Sequence, residues 1–146
     1  MIVTFCGHRD FVETAEAENQ LTMFLEKYAR ENVRLVCYNG GYGNFDYFAA
    51  KCVQRMQEQY SNIRNCLVLP YIDQPFLERI EIFKNHFDET IYPPLESVPR
   101  KYAIIRRNEW MVDSADIVIA YVTYSWGGAA RTLEYARRKK KNIIQI

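Results

Sequence analysis

Along this chain, short apolar runs alternate with stretches in which apolar residues recur every three to four positions. Ile2 to Cys6 is the first run, apolar and β-branched, and predicts a strand broken by Gly7-His8-Arg9-Asp10. Thr14 to Glu31 carries Leu21, Phe24, Leu25 and Tyr28 on one helical stripe. Val33 to Tyr38 predicts strand two. Phe45 to Tyr60 predicts a helix with Phe48, Ala49, Cys52, Val53 and Met56 facing inward. Asn65 to Leu69 predicts strand three, stopped by Pro70, and Pro75 to Asn85 has the spacing of a short helix. Phe87 to Pro99 is less regular, and its prolines hold Ile91-Tyr92-Pro93-Pro94 extended. Tyr102 to Ser114 predicts a helix, Asp116 to Val122 strand four, Gly127 to Lys139 a helix and Asn142 to Ile146 strand five.

Strands that are apolar on both faces and alternate with helices imply a parallel sheet covered on both sides. The expectation is one Rossmann-like, three-layer α/β/α domain over residues 1–146, with five parallel strands in the order 3-2-1-4-5. No repeat, linker or domain boundary interrupts the pattern. Ligands of such sheets sit outside the carboxyl ends of the strands, where strand order reverses. The segments after strands one, two and four therefore carry the candidate chemistry.

Asn39-Gly40-Gly41-Tyr42-Gly43-Asn44-Phe45-Asp46 follows strand two and opens a helix. Gly40, Gly41 and Gly43 permit a sharp turn and close backbone approach. Free N–H groups and the helix dipole then favour a phosphate or carboxylate. A plain strand-to-helix turn is the alternative. Asp46, in the first helical turn, either complements the dipole or hydrogen-bonds a ribose hydroxyl. After strand one, Arg9 clamps a phosphate with its planar fork or pairs with a surface acid. His8 orients a base or ribose, acts as an acid or base, or caps the turn. After strand four, Ser125-Trp126-Gly127-Gly128 forms a second glycine loop, and Glu134 either points back to its mouth or pairs with Arg138 on the helix surface. Arg107 and Asn108 precede strand four on a helix that is otherwise half apolar; a solvated face is their alternative reading.

Composition narrows the classes. The net charge is +1, which argues against a generally basic nucleic-acid coat but not against a local basic groove. The basic run Arg137 to Lys141 suits a helix C-terminus. Hydrophobic residues make up 49% and charged residues 25%, the balance of a globular protein. No stretch approaches the roughly 20 apolar residues of a membrane span. The chain runs from Met1 directly into a strand pattern, so no signal peptide and a cytoplasmic location are expected. Four cysteines (Cys6, Cys37, Cys52 and Cys66) form no C-x-x-C pair and only two histidines occur, so no metal site is expected. Free core thiols are the expected reading.

Thr4-Phe5-Cys6-Gly7-His8-Arg9, the Gly40 to Asp46 loop and Arg107-Asn108-Glu109-Trp110-Met111 together resemble the SLOG superfamily, with the nearest likeness to its YpsA-like branch. That superfamily includes DprA/Smf and the Lonely guy phosphoribohydrolases. The resemblance runs from strand one to strand five and implies a Rossmann-like fold that binds a nucleotide or nucleotide-derived ligand. Arg107-Asn108-Glu109-Trp110-Met111 is similar to the hydrolases' Arg-Lys-x-x-Met motif, which would place their catalytic arginine on Arg107. Gly127 to Glu134 is similar to their Pro-Gly-Gly-x-Gly-Thr-x-x-Glu motif, which would place their glutamate on Glu134. Trp126, Ala130 and Arg131 depart from that motif. In the DprA-like comparison, the loop after strand one and the Gly40 to Asp46 loop line a single-strand DNA groove.

The resulting expectation is a nucleotide-binding or sensing domain. Its ligand-facing residues are Gly7, His8, Arg9, Gly40, Gly41, Gly43, Asp46, Asn108, Ser125, Gly127 and Gly128. A nucleoside-monophosphate phosphoribohydrolase using Arg107 and Glu134 is the alternative, and a single-stranded DNA module is a third reading. No cofactor beyond the ligand is expected, nucleic acid is the less favoured partner, and self-association is open.

Overall fold

A computed structural model describes residues 1–81 and 84–146. The elements are β1 (Ile2–Gly7), α1 (Ala15–Arg30), β2 (Leu35–Asn39), α2 (Asn44–Gln57), β3 (Ile63–Val68), α3 (Gln74–Ile80), β4 (Glu89–Ile91), α4 (Arg100–Ser114), β5 (Ile117–Tyr121), α5 (Gly127–Arg138) and β6 (Asn142–Gln145). A 3-10 turn covers Lys84–His86. The predicted helix from Pro75 to Asn85 is thus shorter than expected, and residues 82 and 83 within it lie outside the described residues.

The sheet has six strands rather than the expected five, in the order β4-β3-β2-β1-β5-β6. All neighbouring pairs are parallel. The predicted inner order survives as β3-β2-β1-β5-β6, with β4 added at the edge. Only three residues long and carrying Glu89 and Thr90, β4 has no apolar run to announce it. Polar contacts place it instead. The Asp88 carboxylate accepts from the Asn65 N–H and from Gln57 Nε2, both at 2.7 Å, and the Leu69 N–H donates to the Ile91 carbonyl at 2.8 Å.

Helices α1 and α2 cover one face of the sheet. Their Leu21, Leu25, Phe45, Phe48 and Val53 pack on Val3, Phe5, Leu35, Cys37 and Ile119. Helices α4 and α5 cover the other, where Val112, Leu133 and Ala136 meet Cys6, Val118 and Ala120. The three-layer Rossmann-like class holds. All four cysteines are free and buried. Burial pushes the thiols of Cys6, Cys37 and Cys52 up to about 12, as inert core thiols require. No helix among the described residues is long and apolar enough to cross a membrane.

From β1 the chain winds outward through β2, β3 and β4, then crosses back to β5 on the other side of β1. Strand order therefore reverses between β1 and β5, and a crevice opens beyond their carboxyl ends. Gly7 ends β1 at that crevice. A Cβ on Gly7 would fall within the Phe45 ring, which is itself only 1% exposed and has no room to retreat. Gly7→Ala is expected to cost about 1–3 kcal/mol through overpacking. Urea unfolding checks this: the midpoint should fall with the slope unchanged. An unchanged midpoint would mean that Phe45 repacks freely.

Candidate functional site

Arg107, on α4, heads the largest fully buried side chains, at 1% exposure. A buried guanidinium needs acceptors, since an unmet charge away from water is costly. Arg107 finds three. Nη1 donates to the carbonyls of Gly40 (2.7 Å) and Val68 (2.6 Å), and Nε donates to Asn108 Oδ1 (2.8 Å). Burial lowers its pKa to about 10, and Asp46 opposes the fall, so the group is a cation at neutral pH. No hydrogen bond is made by Nη2 among the described residues. The solvated face considered for Arg107 is not where it lies.

Asp46, in the first turn of α2, accepts the Tyr42 N–H at Oδ2 (2.8 Å). Burial raises its carboxyl from an ordinary 3.8 to about 6, while the Tyr42 N–H and the Arg107 charge pull the other way. The loop between β2 and α2 is therefore folded onto the protein's own carboxylate. Gly41 (φ 63°) and Gly43 (φ 110°) supply the turn. A Cβ on Gly40 would sit 2.8 Å from Asp46 Oδ2 and 3.0 Å from Arg107 Nη2. The Asn44 N–H, also in this loop, donates to the Arg9 carbonyl at 3.0 Å. The expected anion cradle at Gly40, Gly41 and Gly43 is thus partly filled from within.

The open donors are at α5. Trp126, its N-cap residue, makes no side-chain cap, and no acid stands in the first turn. Gly127 has φ 87°, and a Cβ on Gly127 or Gly128 would meet nothing within 4 Å. By contrast, Thr14 caps α1 by accepting the Ala17 N–H at 3.1 Å, and Glu16 and Glu18 follow it. Thr132, one turn into α5, donates to the Gly128 carbonyl (2.9 Å) and accepts from Asn108 Nδ2 (3.4 Å). Asn108 therefore links Arg107 to α5. Thr132 was not singled out in the sequence, because only its helical phase against α4 gives it a role.

His8 is 3% exposed. Its Nε2 accepts the Thr123 N–H at 2.8 Å, tying the segment after β1 to the segment after β5. Burial lowers its pKa, with Asp10 opposing. A neutral ring with Nε2 engaged is a structural tie rather than a free base. The ring stacks on Tyr124 at 3.5 Å, and Tyr124 stacks on Trp126 at 4.3 Å. Arg9 is exposed and lies 5.4 Å over the Tyr42 ring, with no carboxylate partner among the described residues.

These groups surround a cavity of about 380 Å³. Its lining includes Gly7, His8, Arg9, Tyr42 and Asp46 together with Arg107, Asn108, Gly127, Gly128 and Thr132. A larger hollow of about 650 Å³ adjoins it past Trp126 and is lined by Ser125, Arg131, Glu134, Arg137 and Arg138. Glu134 belongs to this outer hollow, is more than half exposed, and lies 3.9 Å from Arg137 rather than pairing with Arg138. Arg107 and Glu134 thus front different cavities. Among the described residues, no three His, Cys, Asp or Glu side chains cluster as a metal site.

No family model matches the sequence, and no curated protein sequence matches it. Solved structures do. The chain superposes on DNA processing protein A (DprA) from Streptococcus pneumoniae with a TM-score of 0.68 at 14% identity, covering 98% of this chain and 49% of that one. DprA from Helicobacter pylori, described for its single-stranded DNA binding mode, gives 0.64 at 15% identity over 99% and 64%. The molybdenum cofactor carrier protein from Chlamydomonas reinhardtii gives 0.58 at 15% identity over 99% and 75%. The chain spans about half the length of the pneumococcal protein. This chain shares the fold of these proteins.

The Asp46 carboxyl makes stability depend on pH. Its folded pKa lies above the unfolded one, so the folded state holds the proton more tightly. Stability contributed by that protonation is present near pH 4 and is lost as pH rises through about 6. Asp46→Asn, which keeps an acceptor for the Tyr42 N–H, should remove about 1–3 kcal/mol of this decline. Urea midpoints of both proteins from pH 4 to 7 test it, and parallel curves would contradict it.

Proposed function

We propose that this protein binds a phosphate-bearing nucleotide, as a binding or sensing domain, at the carboxyl ends of β1, β2 and β5. One observation carries this reading: the uncapped N-terminus of α5 and the buried cation of Arg107, whose Nη2 makes no hydrogen bond among the described residues, belong to the lining of the same cavity. An anion there would gain main-chain donors, the helix dipole and a fixed cation together. The volume, about 380 Å³, lies within the range of small-ligand pockets. Asp46 and Asn108 offer an acceptor and a mixed amide for ribose hydroxyls, and Arg9 stands at the rim.

The hydrolase alternative needs a carboxylate beside the ribose. Glu134 fronts the outer hollow, so any such role at this cavity would fall to Asp46. A DNA reading draws support from the fold shared with DprA, whose Helicobacter form is described by its single-stranded DNA binding. Arg9 at the inner cavity and Arg131, Arg137 and Arg138 at the outer hollow are all exposed. A net charge of +1 is therefore not sufficient ground to set nucleic acid aside. Single-strand binding by such a patch would weaken steeply with salt.

Gly128→Asp separates these readings. A Cβ there meets no atom, and an acid in the first turn favours the helix by about 0.3–1 kcal/mol. The variant should melt no lower than the parent. AMP should raise the melting temperature of the parent, be recovered intact by chromatography, and have no effect on the variant. Released adenine would establish the hydrolase. An undiminished AMP response in the variant would place the site elsewhere. Salt-sensitive binding of an oligonucleotide with no AMP response would favour the DNA reading.

A further inference from the structure

Trp126 is 68% exposed, among the most exposed of the large apolar side chains. A single exposed apolar residue is ordinary. The setting of this one is not. Its indole is the outer ring of a three-ring stack, with Tyr124 beneath it at 4.3 Å and His8 beneath Tyr124 at 3.5 Å. The stack is pinned at its lower rings. Tyr124 Oη donates to Asp10 Oδ1 at 2.9 Å, and His8 Nε2 accepts the Thr123 N–H at 2.8 Å. Anchors from the segments after β1 and after β5 thus hold the rings on which the indole is stacked. No ring or cation covers its outer face among the described residues.

Position gives this ring its meaning. Trp126 is the residue immediately before Gly127, where the open amides of α5 begin, and it borders both the inner cavity and the outer hollow. Trp126 and those amides line one cavity, so a single small ligand can present an anion to the amides and a flat group to the indole. Arg107, 1% exposed and with no hydrogen bond from Nη2 among the described residues, lines the inner cavity from α4 and supplies a second, independent attraction for an anion there.

We propose that the outer face of Trp126 is the platform on which the nucleobase stacks when the phosphate is held at α5. This rests on the nucleotide reading above and adds which residue holds the base. Every nucleobase has a π-face, so the platform selects for the presence of a base more than for its identity. A ring already fixed by its neighbours loses little freedom when a base settles on it.

Calorimetry with AMP, CMP and ribose 5-phosphate tests the proposal. Trp126→Ala should weaken AMP or CMP binding by roughly tenfold or more, and ribose 5-phosphate by less than about twofold. Trp126→Phe should recover most of the loss. Trp110, the other tryptophan, stacks on Tyr38 at 5.6 Å and lines neither cavity, so Trp110→Phe leaves Trp126 as the reporting indole. In that background AMP should quench fluorescence and ribose 5-phosphate should not. The calorimetric comparison does not need Trp110→Phe and stands if that variant folds poorly. Unchanged AMP affinity in Trp126→Ala would overturn the platform while leaving the phosphate site intact. Failure of the parent protein to bind AMP, CMP and ribose 5-phosphate would overturn both.

Discussion

The carboxyl edge of this sheet is organised by one buried charge. A guanidinium withdrawn from water has to be met by acceptors on every edge it presents to the protein. Arg107 meets this need by reaching from α4 to the carbonyls of Gly40 and Val68, just beyond β2 and at the end of β3. Three separate parts of the chain are thereby held at fixed distances. Gly40 has to lack a side chain, because Asp46 and Arg107 already occupy the space beside its Cα. Asp46 takes the Tyr42 amide and sets the loop. The residue that shapes the site also lines the cavity, so in the proposed reading support and recognition come from one side chain.

With the first glycine loop folded on Asp46, the capacity for an incoming anion moves to the second. Helix α5 begins without a cap or an acidic first turn, unlike α1. Its opening amides retain the donor capacity that α1 gives to Thr14. The segment leading into it is held by aromatic stacking and by the His8 tie, not by a capping side chain. A rigid approach to an unsatisfied helix start is the local arrangement that the binding proposal depends on.

Much of this was legible in the sequence. Alternating apolar runs and helical stripes identified the layers and the inner strand order, because parallel buried strands have no polar face to hide. The crevice followed from that order, and with it the segments at Gly7, Gly40 and Gly127. The edge strand β4 was not legible, since three residues with two polar side chains carry no period. Nor was the fate of the loop amides, which depends on Asp46 turning back to Tyr42 across four positions. Glu134 illustrates helical phase. Thr132 faces Asn108, and at about 100° per residue a side chain two positions later points nearly the opposite way. The resemblance assigned roles to Arg107 and Glu134 together, and how the two sit relative to each other depends on this packing, which puts them on different cavities.

The central claim is that an anionic nucleotide is held between the start of α5 and Arg107. Amide chemical shifts of ¹⁵N-labelled protein, followed during titration with AMP, test it most directly because they locate the ligand as well as detect it. The account predicts saturable shifts concentrated at Gly127, Gly128, Ala129 and Tyr42, with the Trp126 indole N–H moving alongside. Shifts confined to the opposite edge of the sheet, or none at millimolar AMP, would contradict it.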